Sequence, residues 1–173
     1  MADRKLIISA KDIALRVADL GKEISSDFTG KQLLVIGILN GAFIFTADLV
    51  RHITIPLEID FIRVASYGSA TESTGEIRLV KDLEIPVEGK DILLVEDIVD
   101  TGNTMEWLSE HLQGRGASSI RLCTLISKQE RREKSVQIDY CGFQVQEGFL
   151  IGYGLDHAEQ HRHLPDIYHL KSS

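Results

Sequence analysis

Three carboxylates and a Thr-Gly-Asn-Thr step are the groups in this chain best able to do chemistry together. They lie in Leu93-Leu94-Val95-Glu96-Asp97-Ile98-Val99-Asp100-Thr101-Gly102-Asn103-Thr104-Met105, where an apolar run gives way to a helical pattern. A helix start offers N–H groups with no intrahelical acceptor and the positive end of the helix dipole. Gly102 admits close approach of an anion, and Thr101 and Thr104 add hydroxyls, so Thr101, Gly102, Asn103 and Thr104 read as a phosphate cradle. Glu96 and Asp97 suit a sugar diol or Mg²⁺, held directly or through water. Asp100, beside a bound sugar phosphate, is placed to exchange a proton with an attacking or leaving group. The plain alternative is a solvated acidic turn with Thr101 or Thr104 as an ordinary helix cap. Neither G-x-x-x-x-G-K-[ST] nor G-x-G-x-x-G occurs, so the sequence supports neither a Walker-type nucleotide triphosphatase nor a dinucleotide enzyme.

Strands and helices must position these groups. Ser9 followed by Asp12 opens a helix whose Ile13, Val17, Leu20 and Ile24 recur at helical spacing. Gln32 to Leu39 and Ile92 to Val95 are apolar runs expected of strands buried on both faces. Ile55 to Ala65, Ile77 to Val80, Ile120 to Ile126 and Phe149 to Tyr153 are further strands, and Phe43 to Val50 and Thr104 to Leu112 are helices. Residues 66–76 are small and polar without an apolar period and read as a long loop. Glu130 to Lys134 reads as a solvated charged stretch, and His157 to Leu170 resists assignment. The alternation predicts an α/β fold around a central, largely parallel sheet, in one domain spanning 1–173. Ligands in such sheets bind at the carboxyl ends of the strands, near Leu39, Glu96 and Lys128.

Composition bounds the function classes. Of 173 residues, 43% are hydrophobic, enough for a core without disulfides, and the net charge of -7 argues against non-specific nucleic-acid or anionic-membrane binding. No apolar stretch is long enough to span a bilayer and the N-terminal patch is a poor signal peptide, so a cytoplasmic location is expected. Cys123 and Cys141 read as small buried hydrophobes in a reducing compartment.

The segment from Leu93 to Met105 resembles the ribose-phosphate and diphosphate signature of the type I phosphoribosyltransferases, and more narrowly the hypoxanthine-guanine phosphoribosyltransferases, with similarity over residues 30–164. The resemblance implies a parallel sheet flanked by helices with a small hood made from terminal segments. It also implies Mg²⁺-dependent transfer of a phosphoribosyl group from phosphoribosyl diphosphate to N9 of a 6-oxopurine base, giving a purine nucleoside monophosphate and diphosphate in purine salvage. On this likeness Glu96 and Asp97 hold the ribose hydroxyls and metal, Asp100 meets purine N7 as general acid/base, and residues Thr101 to Thr104 hold the 5-phosphate. Leu39-Asn40-Gly41 matches the diphosphate turn, which in the family often contains a non-proline cis peptide; many relatives have a basic residue where Asn40 stands. Ser66-Tyr67 with Ser73-Thr74-Gly75-Glu76 matches the mobile loop that closes over the reaction centre. Lys128 matches the reader of the 6-oxo group, Phe149 the base-stacking aromatic and Leu150 its neighbour with a base-reading backbone. Asp156 matches a second Mg²⁺ ligand and Arg162 a diphosphate contact, and the family implies a homo-oligomer, dimer or tetramer.

Without the likeness, Asn40-Gly41 is a tight turn, Lys128 a surface residue and Phe149 a strand aromatic. His157, His161 and His163 have a spacing that could bind zinc, but Arg162 intervenes and no cysteine is near, so they read as polar surface. Competing functions are transfer to another base such as xanthine, adenine or a pyrimidine, a regulatory relative that binds nucleic acid, and a sugar-phosphate binder without catalysis.

Overall fold

A strand that is apolar on both faces needs cover on both sides. In a computed structural model describing residues 4–69 and 72–170, without the side chains of 67–75, that cover comes from helices. In chain order the elements are β1 (Arg4–Ile8), α1 (Ala10–Asp27), β2 (Leu33–Leu39), α2 (Phe43–Val50), β3 (Leu57–Ser69), β4 (Glu72–Lys81), β5 (Asp91–Val99), α3 (Asn103–Gly114), β6 (Ser119–Lys128), β7 (Tyr140–Val145), β8 (Phe149–Ile151) and β9 (Ile167–Leu170). Side chains alternate along β2. Leu33 and Val35 join Ile13, Val17, Phe45 and Leu49 of α1 and α2 in one core. Leu34, Ile36 and Ile38 join Met105, Leu108 and Leu112 of α3 in the other.

The main sheet has the order β4-β3-β2-β5-β6-β7. Its strands run parallel except for β4, which is antiparallel to β3. β2 therefore has its sequence successor β3 on one side and β5 on the other. Open α/β sheets bind ligands at such a switch point, outside the carboxyl ends of the strands. Here it sets the turn after Leu39 beside the end of β5.

The expected parallel sheet and flanking helices are present, and the two termini build a second sheet, order β1-β9-β8, that forms the hood. The amide of Ala10 donates to Asp166 Oδ1 at 2.7 Å and ties the hood to the start of α1. Ser9 caps α1 by accepting from the Asp12 amide, as its position suggested.

One reading from sequence needs correction, and three strands add to what the sequence signals. The 66–76 stretch is not a loop but an antiparallel ribbon, β3 against β4, with Ala70 and Thr71 outside the described residues. Ser66, Glu76 and Arg78 are exposed along it, so no apolar alternation marks it in the sequence. The late strand Phe149–Ile151 belongs to the hood rather than the main sheet. β9 lies within the 157–170 stretch that resists assignment and β1 within a short N-terminal apolar patch; neither is long enough to signal a strand alone, and the two pair with each other. β7, with its intermediate burial, gave no apolar run yet closes the sheet edge beside β6. Cys123 is buried and its thiol pushed up by that burial, which suits a small core residue; Cys141 is half-buried. No helix among the described residues is long and apolar enough to cross a membrane.

Candidate active site

The switch point gathers the first group of residues. The Leu39–Asn40 peptide is cis. Gly41 follows, and a Cβ there would overlap the Asp97 carboxylate, so this turn lies directly against the acids of β5. Its other side is closed by the hood: a Cβ on Gly154 would overlap the carbonyl oxygen of Gly41. Glu96 is buried, and its carboxylate accepts from the Asp97 amide at 3.0 Å, while Asp97 accepts from the Ile98 amide at 2.8 Å. Burial and the neighbouring Asp97 charge push the Glu96 carboxyl well above the ordinary glutamate range. Burial also raises Asp97, against the pull of the Glu96 hydrogen bond, the Ile98 amide and the field of Arg162. Among the described residues neither acid has an ion pair with a basic side chain. Two adjacent, partly desolvated carboxylates of this kind have the donor set of a Mg²⁺ site that borrows its remaining oxygens from water and substrate phosphates. Among the described residues no group of three His, Cys, Asp or Glu side chains is gathered to hold a metal unaided.

The second group is the β5–α3 turn. Gly102 stands at the N-cap of α3 with φ 90°, a left-handed conformation that favours glycine, and a Cβ there would press on Val136 Cγ2 at 2.9 Å. Thr101 is fixed by its carbonyl, which accepts from the amides of Glu133 and Lys134, each at 3.0 Å. Asn103 is fixed by its side chain, which donates to Glu133 at 2.8 Å. Asn103, Thr104 and Met105 open the helix, where amides lack intrahelical acceptors. Asp100 precedes this cradle. One of its carboxylate oxygens, Oδ1, is buried without a hydrogen-bond partner, and Oδ2 lies 3.5 Å from Arg131. An orphaned buried acceptor costs about 1–3 kcal/mol, a cost that a donor on a bound ligand would offset.

The third group stands at the end of β6. Lys128 is buried rather than a surface lysine, with its ammonium 3.2 Å from Glu130. The charged stretch after it is not simply solvated. Arg132 is part-buried and donates to backbone at both strand ends, and Glu133 and Lys134 brace Thr101. A run of mixed charge gives no sign of this in sequence, because the acceptors are carbonyls from another strand.

The hood supplies the fourth group. Phe149 is half-exposed at the start of β8, and the ring of His157, exposed as polar surface, makes a T-shaped contact with it at 5.2 Å. Leu150 behind it is buried and paired with His169. Arg162 donates to the Gly154 carbonyl at 2.8 Å and lies 3.0 Å from both Asp156 and Glu159. Asp156 also accepts from the Glu159 amide at 2.8 Å, so both its oxygens are engaged. Contacts thus run from Asp97 through Gly41 and Gly154 to Arg162 and Asp156. Ser66 is exposed on the β3–β4 ribbon and is not joined to these groups; the side chains of Tyr67, Ser73, Thr74 and Gly75 lie outside the described residues. Gly154, Arg132, Glu133 and Val136 were missed from sequence, since each acts through packing or backbone rather than through a motif.

The phosphoribosyl transferase domain family matches residues 6–158. The hypoxanthine-guanine phosphoribosyltransferase of Bacillus subtilis is 46% identical over 167 residues, which is 96% of this chain and 93% of that protein. Among solved structures, the hypoxanthine phosphoribosyltransferase of Staphylococcus aureus superposes with a TM-score of 0.93 at 40% identity, covering 96% of this chain and 91% of that one. A hypoxanthine-guanine phosphoribosyltransferase of Bacillus anthracis does so with a TM-score of 0.93 at 39% identity, covering 99% of this chain and 100% of that one. With the cradle, the paired acids and the hood in these places, the chain belongs to the phosphoribosyltransferase family, among its hypoxanthine-guanine members.

Proposed function

We propose that this protein is a purine-salvage enzyme that transfers the phosphoribosyl group of phosphoribosyl diphosphate to N9 of hypoxanthine or guanine and releases diphosphate. The single observation that carries the reading is the β5–α3 turn, where amides without intrahelical acceptors at a helix start follow an acid with an unpartnered buried oxygen. In this reading the amides and hydroxyls of Thr101 to Thr104 hold the 5-phosphate. Glu96 and Asp97 hold the ribose hydroxyls and would hold Mg²⁺, with Asp156 as a ligand of a second ion through water. The cation supplies charge neutralisation for the diphosphate leaving group. The Leu39-Asn40-Gly41 turn offers backbone amides to the diphosphate, and Arg162 offers a fork of donors from the hood. Ser66 and Tyr67 are assigned to the ribbon that covers the substrates and excludes water.

The base lies on Phe149, with the Leu150 backbone at its edge. Lys128 donates to its 6-oxo oxygen, and a lysine has donors but no acceptor, which disfavours the 6-amino group of adenine. As the bond to diphosphate lengthens, positive charge develops on the ribose beside the carboxylates of Glu96 and Asp97. Asp100 takes the purine proton, at N7. The chain works as one domain, in the cytoplasm, and self-associates as a dimer or tetramer, a state that light scattering would read.

Diphosphate release measured with a panel of bases at fixed Mg²⁺ tests the assignment. Hypoxanthine and guanine give one diphosphate per nucleoside monophosphate formed, and adenine gives none. Release with adenine or a pyrimidine, but not with hypoxanthine, overturns it. Lys128→Ala raises the KM for hypoxanthine and erodes the preference against adenine.

A further inference from the structure

The Arg132 side chain bridges the strand end carrying Asp100 and the strand end carrying Lys128. Its Nε donates to the Asp100 carbonyl at 2.8 Å, and its Nη2 lies 3.1 Å from the Val99 carbonyl, 3.2 Å from Ser127 Oγ and 3.0 Å from the Lys128 carbonyl. Val99 and Ser127 are register partners on β5 and β6, so the guanidinium sits across the mouth of this strand pair. Its own amide donates to the Gln129 carbonyl at 3.2 Å, which holds the turn that brings the side chain back.

We propose that Arg132 is a positioning residue for phosphoribosyl transfer, locking the acid/base carboxylate and the base-reading lysine into one geometry. This rests on the roles given above to Asp100 and Lys128. The physical reason is the fork. A planar guanidinium can hold carbonyls of two strands at once, whereas an ammonium on a flexible stem is a single point of charge. Fixing the Asp100 carbonyl limits rotation of its backbone and therefore aims its side chain. The same holds for Lys128, whose ammonium is further steadied by Glu130 at 3.2 Å. Among the described residues this guanidinium meets carbonyl and hydroxyl acceptors and no carboxylate, so it orders both strand ends without neutralising Asp100.

The test is a double-mutant cycle on diphosphate release, with Arg132→Met and Arg132→Lys made alone, in Asp100→Asn and in Lys128→Ala. Alone, each lowers kcat about 10–100-fold, the scale of a small misplacement of reacting groups. Each also raises the hypoxanthine KM about tenfold and leaves the KM for phosphoribosyl diphosphate within about twofold. In Asp100→Asn the kcat effect shrinks to less than about threefold, and in Lys128→Ala the KM effect does the same, because groups acting as a unit are non-additive. Thermal melting and calorimetric binding of Mg–phosphoribosyl diphosphate confirm that the variants are folded. Effects that multiply in full in both backgrounds, an unchanged kcat, or failure of both substitutions to fold overturn the proposal. If Asp100→Asn itself turns over at the normal rate, the acid/base reading fails, which is a different result from a slow Asp100→Asn in which the Arg132 effects still multiply.

Discussion

Asp100 and Gly41 carry the sharpest consequences at the level of single residues. Asp100 keeps one buried carboxylate oxygen without a partner, and the reading gives that group the purine proton. Asp100→Asn keeps the shape and removes the proton acceptor, so turnover falls about 10²–10⁴-fold while Mg–phosphoribosyl diphosphate still binds, as rapid-quench kinetics with parallel calorimetry would record. Gly41 is different, because it matters for what it lacks. Any Cβ there overlaps the Asp97 carboxylate, and either the turn or the acid must move. Gly41→Ala therefore lowers kcat/KM for phosphoribosyl diphosphate by about 100-fold, as steady-state kinetics would read. At this scale the sequence was informative wherever a residue's chemistry is in its side chain. Glu96, Asp97, Asp100 and the Thr101–Thr104 step stand out from type and spacing, and the structure groups them at the end of β5 and the start of α3. Arg132 and Gly154 did not stand out, because one acts on carbonyls of another strand and the other on the space beside Gly41.

Among the elements, the edge of the main sheet makes the clearest stability prediction. Asp60 on β3 is buried and accepts from the amides of Phe61 at 2.7 Å, Glu84 at 2.7 Å and Ile85 at 2.9 Å, and so pins the connection after β4 back to β3. Burial works against its ionised form, but the amides of Ile85, Phe61 and Glu84 and the charge of Lys81 outweigh it and hold the carboxyl below the ordinary value of 3.8. A depressed acid contributes stability that is complete above the unfolded value and is lost as pH falls through the folded one. Asp60→Ala therefore costs about 1–3 kcal/mol at pH 7 in urea unfolding, and its gap from the wild type narrows as the pH falls below the ordinary aspartate value. The buried strands β2, β5 and β6 were legible because both their faces are apolar. The β3–β4 ribbon was not, because the sequence of residues 66–76 is small and polar and carries no apolar alternation. A strand of this kind is defined by its partner rather than by its own pattern.

At the scale of the whole molecule, residues from both termini close over the strand ends. β1 and β9 pair, β8 adds Phe149, and Asp166 binds the hood to α1 through the Ala10 amide and accepts from the Tyr168 hydroxyl at 2.9 Å. Asp166→Ala loosens that attachment. In steady-state kinetics the hypoxanthine KM rises about two- to tenfold, the worth of one or two hydrogen bonds, with the KM for phosphoribosyl diphosphate unchanged. The hood was expected from family likeness alone, since pairing between the two ends of a chain leaves no local trace. In the proposed reaction the peptide leaving β5 grips the phosphate at the start of α3 and the sugar with the acids before it. A crystal structure with a 6-oxopurine nucleoside monophosphate and Mg²⁺ tests it most directly. The expected result is the phosphate on the amides of residues 102–105, the ribose hydroxyls on Glu96 and Asp97, and the base on Phe149 with its oxygen at Lys128. A nucleotide bound elsewhere, with these groups facing only solvent, would contradict it.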